Sequence, residues 1–312
     1  MMLMKMEQFT FSASDGAKLA AYLWLPDDQV NCVLQVTHGM TEHMGRYEDF
    51  AADLCRQGVA VAGFDLRGHG ANPGNGEVAS FGEDGWTASI EDMRLFWQLL
   101  EDRFPGKPHF LLGFSLGSFL LREYLQRYSQ GVAGAIIAGT GHQPGAVLSM
   151  IMAIVKGQIK KAGFDGTTDL VRNLSFGTYN QKFKPNRTTA DWLCGDHAQL
   201  DVYLADPLVR KDISAGLFWQ LLASMKRTGK CGAYAGWDPK LPVLLLYGEN
   251  DPVGDFGKGA ERVYKQMKQA GMQNVEFCGI RDARHDIFHE NACGATEMVR
   301  HDISDWLNGV IL

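Results

Sequence analysis

Gly113-Phe114-Ser115-Leu116-Gly117 is the one G-x-S-x-G pentapeptide in the chain. Such a pattern carries chemistry only in context. On a sharp turn from strand to helix, the serine is exposed in strained backbone, and the glycines let neighbouring segments approach. That context is present. His109 to Leu112 is a short apolar run of strand type, and Leu116 to Tyr128 reads as a helix whose N-terminus brings amides near the reacting oxygen. Elsewhere the same pentapeptide would be a serine in a glycine-rich turn.

A serine hydroxyl needs a base within hydrogen-bond reach. In sheets with this kind of turn the partners follow in the order Ser, Asp or Glu, His. His285, His289 and His301 are the histidines beyond the late strands. His285 comes shortly after the strand-like run Val275 to Ile280, where a closing loop would deliver a base, and is the expected one. His289 competes by proximity, and His301 falls in the last helix. For the acid, Leu244 to Tyr247 runs into Gly248-Glu249-Asn250-Asp251-Pro252, with Asp255 just beyond. Asp251, in the turn before the proline, is expected to orient His285 and stabilise its charged form. Asp286 adjoins the base, but neighbouring side chains usually diverge.

Attack on an acyl group puts negative charge on the carbonyl oxygen, and preorganised backbone N–H groups stabilise it. The Leu116 amide is one expected donor, and the Met40 amide, in the loop His38-Gly39-Met40-Thr41, is the other.

These residues require a frame. Gln8 to Ala13 and Lys18 to Leu25 read as a hairpin around Asp15-Gly16. Strands follow at Cys32–Thr37, Val59–Phe64, His109–Leu112 and Val132–Ala138, with helices near Tyr47–Gln57, Trp86–Phe104 and Leu116–Tyr128. The alternation predicts an α/β fold with a mostly parallel sheet covered on both faces. From about 141 to 210 the chain reads as irregular. Order resumes with a helix near Ser214–Arg227, a strand at Pro242–Tyr247, a helix near Lys258–Gln269, a strand at Val275–Ile280 and a helix at Ala295–Leu307. The expected division is a core of residues 1–140 and 211–312 interrupted by an insertion, 141–210.

Bulk properties narrow the partners. The chain has 312 residues, 46% hydrophobic, with 30 basic and 36 acidic side chains for a net charge of −6. No basic block points to nucleic acid. The cysteines, Cys32, Cys55, Cys194, Cys231, Cys278 and Cys293, form no C-x-x-C pair or metal-ligand spacing, which predicts a reducing, cytoplasmic setting without disulfides. No signal-peptide pattern is read at Met1 to Phe9, and the longest apolar run is too short to span a bilayer. No metal and no organic cofactor is expected.

Beyond single motifs, His38-Gly-Met-Thr-Glu-His-Met-Gly-Arg-Tyr47 resembles the H-G-x-x-E-H-x-x-R-Y segment of monoacylglycerol lipases and bacterial lysophospholipases. Phe64-Asp-Leu-Arg-Gly-His-Gly70, Gly113–Gly117, Gly248–Pro252 and Ala283-Arg-His-Asp286 are similar to that family's later blocks, in the same order. The resemblance implies the α/β-hydrolase fold, a cap between the sixth and seventh strands at 141–210, and a small ester substrate with one acyl chain and a polar alcohol. Thr41 and Asn72 depart from the pattern, where glycine and serine are usual. Glu42 and Arg46 match positions near the site entry, either as contacts for the polar head of the substrate or as a buried ion pair. Asp65, Arg67 and His69 read as structural.

Within the cap, Ala146 to Val155 is apolar on almost every helical face and is expected to be buried. Leu148, Ile151 and Ile154 are its candidate contacts for an acyl chain, and the run could also touch a membrane surface. The cap is expected to set chain preference and add little to the chemical step. A peptidase or amidase would use the same triad with a cap acid for the substrate amine, from Asp165, Asp169, Asp191, Asp196 or Asp201. An acyltransferase, with alcohol in place of water, and a binding protein that has lost the chemistry are the further alternatives. Oligomeric state is not legible.

Overall fold

Strand runs buried on both faces read as almost continuously apolar, and four strands here do so along their whole length: β3 (Cys32–Thr37), β4 (Val59–Phe64), β6 (His109–Phe114) and β7 (Gly134–Ala138). The computed structural model describes residues 4–230 and 232–311, so Cys231 and the first three residues of the N-terminal reading lie outside the described residues. The hairpin β1 (Lys5–Ser12) and β2 (Lys18–Leu25) pairs antiparallel, and β2 joins β4 antiparallel. From β4 onward every pairing is parallel, through β9 (Val243–Gly248) to β10 (Val275–Ile280). The eight-stranded order is β1-β2-β4-β3-β6-β7-β9-β10. Two short strands, β5 (Val78–Ala79) and β8 (Asp212–Ile213), pair with each other outside this sheet.

Helices cover both faces, and two apolar clusters fill the space on either side. α2 (Gly85–Arg103), α3 (Leu116–Tyr128) and α8 (Lys258–Gln269) contribute Trp97, Leu121 and Val263 to one; α1 (Glu48–Cys55) and α9 (Ala295–Ile311) contribute Leu54 and Leu307 to the other. A single 3₁₀ turn, Met44–Tyr47, leads into α1, which therefore starts one residue later than expected.

The main departure lies between β7 and β9, where an irregular stretch was expected. The chain instead forms α5 (Asp169–Ser175), a 3₁₀ turn at Tyr179–Phe183 and α6 (His197–Ala205), and the apolar run from Ala146 lies in a longer helix, α4 (Gly145–Ala162); beyond them α7 (Ala215–Thr228) forms where a helix was expected. α4 packs against α7, and within it only Leu148 and Val155, two turns apart, are fully buried. Ile151 is half-buried on the same core, while Val147, Met150 and Ile154 are exposed. The expectation of a helix buried all round is thus corrected: α4 rests on one side only.

Candidate active site

The elements place the named side chains at the carboxyl ends of the parallel strands, where open α/β sheets hold their ligands. Ser115 stands between β6 and α3 with φ 51° and ψ −115°, a conformation that a non-glycine residue adopts only under constraint. The glycines explain how the turn closes. A Cβ on Gly113 would lie 2.4 Å from the Gly117 carbonyl oxygen, and one on Gly117 would lie 2.1 Å from the Thr37 carbonyl oxygen. Backbone meets backbone at both points, so no side chain can yield.

Asp251 follows β9 and His285 follows β10, and the fold brings both to Ser115. His285 Nε2 lies 2.8 Å from Ser115 Oγ, and His285 Nδ1 lies 2.9 Å from Asp251 Oδ2. Asp251 is fully buried, and its other oxygen accepts the Val253 N–H at 2.8 Å. Glu249 is exposed and Asp255 half-buried, and neither is paired with His285. His289 faces away, bonded to Asp286 Oδ1 and to the Arg46 carbonyl, and His301 is exposed on α9. Burial opposes a charge on His285, but the charge and hydrogen bond of Asp251 outweigh it, with Asp286 and Glu42 adding. The imidazole pKa is therefore raised above its ordinary value.

The loop from His38 to Thr41 faces this constellation. Its conformation is set by buried groups. Leu66 N–H donates to His38 Nε2 at 2.9 Å, so Nδ1 carries the proton and donates to the Gly39 carbonyl at 2.7 Å. Burial lowers the His38 pKa to about 3, which keeps this tautomer neutral. Glu42 accepts the Gly39 N–H at 2.6 Å and the Tyr47 hydroxyl at 3.0 Å. Met40 and Leu116 contribute no amide to the loop and turn hydrogen bonds among the described residues, so both N–H groups remain available. Thr41 has φ 68°, the left-handed region that favours glycine, and its hydroxyl meets Tyr203 of α6 at 2.8 Å. Glycine in this position in the resembling family has that physical basis.

Glu42 and Arg46 form a buried ion pair, and Arg46 also donates to Asp286 Oδ2 at 2.7 Å. The Tyr203 ring covers the guanidinium at 4.8 Å. Despite burial, the Asp286 carboxyl is held well below the usual range by His289 and Arg46. Asn72, the second departure, bonds Ala20 N–H and the Asp65 and Leu66 carbonyls. Asp65 accepts two backbone N–H groups, Arg67 pairs with Asp92 and Asp15, and His69 donates to the Arg67 carbonyl.

Of the three candidates on α4, Leu148 points into the core and Ile154 into solvent, and neither is in the aromatic group beside His285. That group comes from a later part of the insertion, which the sequence did not single out: Trp192, with Phe176 and Tyr179 behind it.

Sheet order, the strained turn at Ser115 and the placement of serine, acid and histidine define the α/β-hydrolase fold. The protein family described as serine aminopeptidase, S33, matches residues 28–292, and the chain belongs to that family. It is 27% identical over 304 residues to a monoglyceride lipase of Homo sapiens, covering 95% of this chain and 88% of that one. It is 23% identical over 308 residues to a monoacylglycerol lipase of Mycolicibacterium smegmatis, covering 96% of each. Its fold is shared with a thermostable carboxyl esterase of Bacillus coagulans crystallised with glycerol, at TM-score 0.87 and 21% identity, over 99% of this chain and 100% of that chain.

Proposed function

We propose that the protein is a serine hydrolase that cleaves a carboxylic ester through an acyl-enzyme, acting on a monoacylglycerol- or lysophospholipid-type substrate. The observation carrying this reading is the continuous hydrogen-bond chain from Ser115 Oγ through His285 to Asp251 Oδ2. In the reaction, Ser115 Oγ attacks the acyl carbon as its proton passes to His285 Nε2. Asp251 keeps the proton on Nδ1 and stabilises the imidazolium. The Met40 and Leu116 N–H groups receive the carbonyl oxygen as it becomes negative. The imidazolium then protonates the departing alcohol. Water, deprotonated by His285, attacks the acyl-serine, and the imidazolium returns that proton to Ser115 Oγ as the acid is released.

Ester chemistry is favoured over amine recognition by the state of the insertion's acids. Asp196 caps α6, and Asp191 accepts from Arg187 and Thr188 N–H groups. Asp165 accepts from Ser80, and Asp169 and Asp201 pair with Arg172 and Arg187. Each is already engaged, whereas an aminopeptidase would require one for a substrate amine. The relatives' names and the esterase bound to glycerol support the same choice. Acyl transfer to an alcohol would use the same groups with a different acceptor.

Residues 141–210 serve, in this reading, as a cap over Ser115. The exposed face of α4, Val147, Met150 and Ile154 with Lys156 and Lys160 nearby, suits passing contact with a lipid surface. No helix among the described residues is long and apolar enough to cross a membrane. A cytoplasmic setting accords with the free thiols of Cys32, Cys55, Cys194, Cys278 and Cys293. The test is turnover on p-nitrophenyl esters, monoacylglycerols, lysophospholipids and aminoacyl amides. Amide cleavage faster than ester cleavage would overturn the ester assignment.

A further inference from the structure

Three parts of the chain meet at the His285 ring: its own loop, Phe114 from the end of β6, and Trp192 from the insertion. Ring centroids lie 5.0 Å from Phe114 and 5.4 Å from Trp192, with planes inclined by 34° and 37°. His285 is 2% exposed and Trp192 9%, so water contributes little there. Phe176 stacks on Trp192 at 5.7 Å and Tyr179 packs at 5.0 Å, fixing the indole from its other contacts.

The segment carrying Trp192 is sewn to the segment carrying His285. Asp286 N–H donates to the Leu193 carbonyl at 2.7 Å, and the Arg284 guanidinium donates to the Asp191 carbonyl. Glu290 spans the two segments: one oxygen accepts the Gly195 N–H at 2.6 Å, the other the Arg284 N–H at 3.2 Å. Nothing in the local sequence of residues 191–195 requires this; the bonds arise from the way the insertion returns to the sheet.

We propose that Trp192 is a positioning residue for His285, holding the imidazole in line between Ser115 and Asp251 and favouring the imidazolium formed during acyl transfer. The proposal rests on the reading of His285 as the base. Bonds at Nδ1 and Nε2 leave the ring free to swing about the line joining those atoms, and packing against its faces is what resists the swing. A cation within about 6 Å of an indole centroid is also attracted by the ring's electrons, more strongly when desolvated. The charged groups around His285 are Asp251 after β9, Asp286 beside it, Glu42 after β3 and Arg46, which pairs with both Glu42 and Asp286. None of them bonds to the indole, so replacing Trp192 removes none of the hydrogen bonds or ion pairs described for them. On this proposal the strap 191–195 takes part in the chemical step, beyond the chain-preference role expected of the insertion.

The test is kinetics of Trp192→Leu, Trp192→Met and Trp192→Phe on a short p-nitrophenyl ester, across pH, with thermal unfolding alongside. Loss of a desolvated cation–π contact predicts a kcat lower by roughly 2- to 30-fold in the leucine and methionine variants. KM should change little, and the acid limb of kcat/KM should move to lower pH. The phenylalanine variant should recover most of both. Glu290→Gln, which leaves the indole intact and weakens its anchor at Gly195, should lower kcat with KM little changed. Folded leucine or methionine variants with wild-type kcat and an unmoved limb would overturn the proposal, as would a loss confined to KM. If neither folds, wild-type kcat in Glu290→Gln overturns it. Ser115→Ala in the same assay separates the two levels: turnover there would sink the serine mechanism itself.

Discussion

Gly117 and Thr37 stand so close that a methyl group on the glycine would lie 2.1 Å from the Thr37 carbonyl oxygen. The contact joins the first turn of α3 to the end of β3, and so joins the Ser115 turn to the loop that carries Met40. Gly117→Ala should therefore separate these segments. Forced overpacking of this kind costs about 1–3 kcal/mol. Thermal unfolding should show the lower stability. Ester turnover should fall further than stability alone explains, because both proposed oxyanion donors move. An alanine variant with native stability and turnover would mean that the backbone relaxes without consequence.

Among the described residues, Arg46 is the only cation bonded to two buried carboxylates, Glu42 and Asp286. Removing one partner of a buried ionic group typically costs about 3–5 kcal/mol, because the remaining charge is left without compensation. Arg46→Met should be destabilised by that order. Adding Glu42→Gln and Asp286→Asn should recover part of the loss. Denaturant unfolding of the single and triple variants checks this, and equal stability of the two would contradict it.

The same network sets a pH window. The folded-state pKa of Asp286 is depressed, so its stabilising contribution is complete above the unfolded carboxylate value of ~3.9 and is lost as pH falls toward the lower folded value. Asp286→Asn should thus lose stability near neutrality and converge with wild type in strong acid. Unfolding free energies measured along an acid series would show the two curves approaching; parallel curves would be the contrary result.

Activity should have its own acid limb. His285 accepts a proton only when neutral, and its pKa is raised, so the limb should lie above ~6.5. Asp251→Asn removes the largest favourable partner of the imidazolium. In serine triads of this type, loss of the acid's charge lowers kcat by about 10⁴. The residual activity of the asparagine variant should have its limb displaced to lower pH. A limb below ~6 in the wild type would contradict the account.

The meeting of Ser115, Asp251 and His285 at the candidate site was legible because its signals are local. The glycines around Ser115, the strand before it and the helix after it lie within a short stretch, and the proline after Asp251 marks the turn that buries the acid. The insertion was harder to read. In α4, apolar residues lie on the solvent side as well as the core side, so Val147, Met150 and Ile154 hide the period set by Leu148 and Val155. N-cap signals were nevertheless present: Thr168 and Asp196 each accept N–H groups at the start of α5 and α6. Trp192 had no such signal. Its contact with His285 comes from a return of the chain far along the sequence, and so does the β5–β8 pairing.

The central claim is that Ser115 is the nucleophile, activated by His285. The most direct measurement is intact-mass and peptide mapping after treatment with a fluorophosphonate, on wild type and Ser115→Ala. Ser115 Oγ lies 2.8 Å from His285 Nε2 on a strained turn and is only half-buried, so it should be the one labelled residue. One adduct on Ser115, with neither adduct nor ester turnover in the folded alanine variant, is the predicted result. Labelling at another residue, or wild-type turnover by Ser115→Ala, would contradict the account.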